Sequence, residues 1–141
     1  MRTRVPTLQG RERSLVEPCH ILVVDDDCDI RELVAELLIE AGYAVNTAAH
    51  GVEALETLNR QPGGTDLILL DLMMPVMNGW QFLTRKRDDD AIKNIPVLVV
   101  TANPNEEVRR LDHVVGLLSK PISFDGLLAY VEHWCAASAR S

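Results

Sequence analysis

The stretch from His20 to Gly42, HILVVDDDCDIRELVAELLIEAG, decides how the rest of the chain is read. Ile21 to Val24 is a short apolar run without alternation, the pattern of a strand buried on both faces. Three aspartates follow at once. Beyond them Ile30, Leu33, Val34, Leu37, Leu38 and Ala41 recur at steps of three and four, which lays one apolar stripe along a helix. Gly42 suits the left-handed position that ends such a helix. A strand, an acidic turn and an amphipathic helix therefore form the first unit.

The same alternation recurs to the end of the chain. Tyr43 to Ala49 reads as a second strand and Val52 to Asn59 as a second helix. Pro62, Gly63 and Gly64 mark a loop before Leu67 to Leu70, LILL, another strand without a polar face. Asn78 or Gly79 opens a third helix that ends near Arg87, where Arg85, Lys86 and Arg87 complement the negative end of its dipole. Asp88, Asp89 and Asp90 are read as a solvated loop. Pro96 to Val100 forms a fourth strand, Glu106 to Asp112 a short helix, Val115 to Ser119 a fifth strand, and Ser123 to Ala137 the last helix. Doubly buried strands alternating with helices predict an α/β fold: a doubly wound five-stranded parallel sheet with helices on both faces.

Composition narrows the function. The chain has 141 residues, 47% of them apolar and 25% charged, which suits one soluble domain with one core. No apolar run approaches the roughly 18 residues of a membrane span and none near the start resembles a signal peptide, so a cytoplasmic protein that does not enter a membrane is expected. A net charge of −7 with no segregated basic patch argues against direct DNA binding. Cys19, Cys28 and Cys135 show no metal or redox spacing, and reduced thiols acting as small apolar residues are expected. His20, His50, His113 and His133 never pair at helical spacing and are not read as ligands.

The polar residues that interrupt the apolar strands carry the chemistry. Asp25, Asp26 and Asp27 leave strand one, Asp71 ends strand three, Thr101 ends strand four and Lys120 ends strand five. In an open parallel sheet all of these fall on the carboxyl edge, where ligands of such folds sit. Two carboxylates about 4 Å apart repel by roughly 4 kcal/mol at an effective dielectric near 20, and a hard divalent cation removes the conflict. Magnesium (Mg2+) takes one or two carboxylates and keeps room for water and phosphate oxygens. Mg2+, the Lys120 ammonium and the Thr101 hydroxyl or a backbone N–H can then share the three oxygens of a transferring phosphoryl group. Asp71, isolated at the end of LILLD, is the candidate nucleophile.

VVDDD, LLDLMMP followed by NG, VVTA and SKP, in this order and spacing, resemble the receiver domain of two-component response regulators, over about Cys19 to Ala137. The resemblance implies a flavodoxin-like strand order of 2-1-3-4-5. It implies that Asp71 accepts a phosphoryl group from a phosphohistidine on a sensor histidine kinase or histidine phosphotransfer protein. Asp26 would then ligate Mg2+ directly, Asp25 mainly through water, and the Met73 carbonyl would add a ligand beside Asp71. Lys120 would pair with Asp71 and Thr101 would hydrogen-bond the phosphoryl group. The module would not be an enzyme acting on a separate substrate, although it would assist its own phosphorylation and dephosphorylation. It would be a monomer or weak dimer that signals by docking a downstream protein or by relaying the phosphoryl group. Asp27 is read as the cap of the first helix.

Two departures from the family stand out. Leu117 occupies the position, three before the lysine, where receivers usually carry an aromatic ring, and the segment from Thr101 to Lys120 is about one helical turn short. A reduced fourth helix and a remodelled output face are expected. Residues 1 to 18 lie outside the pattern, with Arg2, Arg4, Arg11 and Arg13 opposed by Glu12 and Glu17; a disordered basic tail or a docking arm is expected there. Residues 19 to 138 form the domain, and residues 139 to 141 its end, so a single-domain regulator is expected. Competing functions are a haloacid-dehalogenase-like phosphatase with Asp25 as nucleophile and Asp27 as acid, a flavodoxin-like carrier, and a receiver-shaped interaction module that is never phosphorylated. The aspartates of VDDDCD would repel a flavin phosphate.

Overall fold

The computed structural model describes residues 18–104, 106–111 and 113–139. The expectation for the basic leading segment therefore lies, apart from Pro18, outside the described residues. Strand β1, His20–Val24, pairs in parallel with both β2, Ala44–Ala48, and β3, Leu67–Leu70. β3 pairs with β4, Val97–Thr101, and β4 with β5, Val114–Ser119, again in parallel. The order β2-β1-β3-β4-β5 is the expected one.

Alternate strand residues enter two apolar layers. Leu22, Val24, Ile68, Leu70, Val97 and Val99 face one layer, closed by helices α2, Gly51–Arg60, and α3, Gly79–Arg87. Ile21, Val23, Leu67, Leu69, Leu98 and Val100 face the other, closed by α1, Cys28–Glu40, and α4, Phe124–Ala139. This is why LILL in β3 and VLVV in β4 carry no polar face: each side of the sheet has a helical cover.

Local chemistry sets the ends of the helices. The Asp27 side chain accepts hydrogen bonds from the N–H groups of Asp29 and Ile30 and so caps α1, as expected. Gly42, φ 102°, takes the left-handed conformation just beyond its last turn. Asn78 and Gln81 form a capping box at the start of α3. Gly79 is required there, because a Cβ would lie 2.7 Å from the Leu72 Cα and 2.8 Å from the Asp71 carbonyl oxygen. The first turn of α3 can thus lie directly on the chain that leaves β3.

Three expectations need correction or refinement. The cysteines are not all reduced: Cys19 and Cys135 form a disulfide, with Cα atoms 5.8 Å apart, and Cys28 alone is free. The two meet because the start of β1 and the end of α4 close the same apolar layer, a proximity no local spacing reveals. Lys86 is only 2% exposed and donates from Nζ to the Lys93 carbonyl at 2.8 Å, so it packs inside, while Arg85 and Arg87 stay on the surface. Between β4 and β5 the short helix is a single 3-10 segment, Glu106–Arg110, anchored by the fully buried Val108.

Candidate functional site

Hydrogen bonding carries the sheet one step past its strands and thereby places the site. The Asp71 N–H donates to the Val24 carbonyl at 3.0 Å, the Asp25 N–H to Ala48 at 3.1 Å, and the Lys120 N–H to Thr101 at 2.9 Å. Asp25, Asp71, Thr101 and Lys120 therefore emerge from neighbouring strands on one edge. Asp25 and Asp71 are each 5% exposed and Thr101 is fully buried, whereas Asp26 lies open to solvent.

Lys120 ties the cluster together. Its Nζ donates to Asp25 Oδ2 at 3.0 Å and to Asp71 Oδ2 at 3.3 Å. The expected partner was Asp71; the ammonium in fact bridges both acids and sits closer to Asp25. The other oxygens have backbone donors, Asp27 N–H to Asp25 Oδ1 at 2.9 Å and Met73 N–H to Asp71 Oδ1 at 3.2 Å. The Thr101 hydroxyl accepts from the Asn103 N–H at 3.3 Å, which leaves its own hydrogen available to a ligand. Nothing in the local pattern singles out Arg31, whose Nη1 donates to the Asp25 carbonyl at 2.7 Å and braces the acidic turn from α1.

Burial sets the titration of the site. Ile30, Val34, Val100, Ile122 and Leu127 line an apolar pocket under Asp25 and Asp71. Desolvation there raises the Asp71 carboxyl above its ordinary value, helped by the Asp25 charge and opposed by the Met73 N–H and by Lys120. For Lys120, burial works to lower the ammonium, but the bonds to Asp25 and Asp71 outweigh it and hold it above the ordinary lysine value.

Oxygen atoms of Asp25, Asp26 and Asp71 lie within 4.8 Å of one another. Three hard oxygen donors, two held rigidly and one at the surface, fit a small divalent cation that retains water and accepts a further oxygen. Met73 follows at the mouth of the site, 63% exposed. Asp27, by contrast, accepts the Asp29 and Ile30 N–H groups on Oδ1 at 3.0 and 3.2 Å and so serves as the cap of α1.

The family model of the response regulator receiver domain matches residues 21–132. The chain belongs to the receiver domain family of two-component response regulators. The receiver is 37% identical over 119 residues to the transcriptional regulatory protein CpxR homolog of Haemophilus influenzae, covering 79% of this chain and 48% of that one. It is 34% identical over 131 residues to response regulator Rre1 of Synechocystis, covering 90% and 56%. The receiver thus spans about half the length of these curated relatives. Among solved structures, chemotaxis protein CheY4 of Vibrio cholerae superposes with a TM-score of 0.75 at 33% identity, covering 83% of this chain and 98% of that one. The Francisella response regulator 1452 receiver domain gives 0.76 at 30% identity, with 86% and 99% covered. Receiver domains are phosphoacceptor signalling modules that bind Mg2+ at an acidic pocket and interact with histidine kinases and downstream targets. Among the described residues no helix is long and apolar enough to cross a membrane.

Proposed function

We propose that this receiver takes a phosphoryl group onto Asp71 from a phosphohistidine of a sensor histidine kinase or histidine phosphotransfer protein, with Mg2+ held by Asp25, Asp26, Asp71 and the Met73 carbonyl. The observation that carries the reading is the Lys120 ammonium spanning Asp25 and Asp71 within a three-carboxylate cluster. A carboxylate oxygen of Asp71 forms the bond to phosphorus as the phosphorus–nitrogen bond breaks and the imidazole leaves. Mg2+ supplies charge neutralisation for the incoming phosphoryl oxygens. Lys120 transfers its pairing from the acids to those oxygens, and Thr101 turns its buried hydroxyl to donate to one of them.

The unit of function is the domain from residue 19 to 138, a cytoplasmic monomer or weak dimer. It assists its own phosphorylation and dephosphorylation and transforms no separate substrate. Its output is docking to a downstream protein or onward relay of the phosphoryl group. The net charge of −7 opposes direct DNA contact. The 3-10 segment Glu106–Arg110 and the buried Leu117 support a reduced switch on the face beyond β4 and β5. Backbone shifts from Val99 to Leu117 on phosphorylation as large as those of aromatic-bearing receivers would contradict that feature.

The test is to treat the protein with acetyl phosphate and Mg2+ and to map the acyl phosphate by reduction and mass spectrometry. Label on Asp71, absent in Asp71→Asn, is expected. Label on Asp25 would favour phosphatase chemistry. No label from either acetyl phosphate or a phosphohistidine donor would leave an interaction module.

A further inference from the structure

We infer that Cys19 and Cys135 are a reversible redox pair whose disulfide staples the last helix to the start of the central strand, at the pole of the sheet opposite the aspartates. The inference stands apart from the phosphoacceptor reading.

The covalent bond joins positions 116 residues apart and encloses nearly the whole fold. Cys19 stands just before β1, and Asp25 just after it. Cys135 lies toward the end of α4, the helix that follows Lys120. One bridge therefore ties the far ends of the two segments whose near ends carry Asp25 and Lys120. Oxidation fixes α4 along its length, and reduction leaves its far end held by packing alone.

Both redox states fit the fold. Cys135 is buried among α4 and strand side chains in the same layer as Val131 and Leu127, with Cys19 packed against that layer. Two thiols in such a layer pack as small apolar groups, so reduction opens no polar hole. Cys19 is half-buried, which gives a reagent a route in that the buried Cys135 does not offer. The third thiol does not compete: Cys28 lies at the other pole, at the start of α1, separated from Cys19 by the length of β1.

The oxidant is a low-molecular-weight disulfide. The Cys19 thiolate attacks one of its sulfurs, forming a mixed disulfide and releasing one small thiol. The Cys135 thiolate then attacks the Cys19 sulfur and releases the second. Two protein thiols are oxidised, one small disulfide is reduced to two thiols, and the two protein protons leave on them. In a compartment that keeps thiols reduced, such a pair rests open and closes under oxidative load.

The test equilibrates the folded full-length chain in mixtures of reduced and oxidised glutathione, traps thiols with a maleimide, and counts adducts by mass spectrometry. All-or-none conversion between a species with three free thiols and one with Cys28 alone is expected, without urea and in both directions. The oxidised form should unfold at a urea midpoint higher by on the order of 2 M, with an unchanged far-ultraviolet dichroism spectrum. Cys19→Ser should abolish both the conversion and the midpoint difference, and Cys28→Ser should leave both intact; were Cys19→Ser unfolded, the reduced natural chain supplies the same comparison. A bridge that opens to excess dithiothreitol only in urea would show a permanent staple and overturn the inference. So would a pair that stays reduced in fully oxidised glutathione, or a disulfide that involves Cys28.

Discussion

Replacing Lys120 with methionine keeps the length of the side chain and removes the cation that bridges Asp25 and Asp71. Its Nζ lies 3.0 and 3.3 Å from the two carboxylates, and the side chain is only 16% exposed. At an effective dielectric near 20, each of those contacts is worth roughly 5 kcal/mol, and carboxylate oxygens within 4.8 Å of one another repel by at least roughly 3.5 kcal/mol. Much of the attraction merely offsets desolvation, so the expected cost is that of stripping one partner from a buried pair at a solvent edge, about 3 kcal/mol. Urea unfolding of Lys120→Met in a chelator should show a midpoint lower by about 1.5 M. Mg2+ at ten times its dissociation constant adds about 1.4 kcal/mol to the natural protein by mass action. It should restore more in Lys120→Met, where no ammonium competes for the same oxygens. A variant within about 0.5 kcal/mol of the natural protein in chelator, or a deficit indifferent to Mg2+, would refute the electrostatic reasoning.

Val76, 77% exposed, holds φ at 67°, a left-handed conformation costly for a β-branched residue, so Val76→Gly should raise the melting temperature by about 3 °C; a fall would refute the strain. Asn78→Ala removes the side-chain acceptor of the α3 capping box, the bond from the Gln81 N–H, and should cost about 1 kcal/mol in thermal or urea unfolding, with Asn78→Asp recovering most of it. Because Asp71 titrates above its ordinary value in the fold, its protonated form contributes stability that is present below the unfolded pKa and lost as pH rises through the folded one. Asp71→Asn should therefore gain stability over the natural chain, in chelator, as pH is raised from about 4 toward neutrality. A stability difference that is flat across that window would contradict the burial of the Asp71 charge.

Much of this was legible because its causes are local. LILL and VLVV, short apolar runs bounded by turn residues, read as strands covered on both faces, and the polar residues that end them fall at the carboxyl edge. Asp27 and Asn78 announced helix starts through side-chain chemistry that acts within three residues. What stayed hidden depends on contacts far along the chain. Cys19 meets Cys135 across 116 positions, Lys86 is drawn inward by the Lys93 carbonyl, and Lys120 bridges two acids where its pairing with one was expected. The left-handed Val76 also escaped, since nothing in MMPVMNG says which residue absorbs the turn. The shortened segment before β5 was readable as a length, but its 3-10 geometry was not.

On the proposed function, the notch formed by Asp25, Asp26 and Asp71 captures magnesium. Titration of the labelled protein with Mg2+, followed through its backbone amide resonances, measures this directly. Saturating shifts at millimolar Mg2+ confined to Asp25, Asp26, Asp71, Met73, Thr101 and Lys120 are predicted, and they should vanish in Asp26→Asn. Resonances that do not move in that range, or that move equally in Asp26→Asn, would contradict the account.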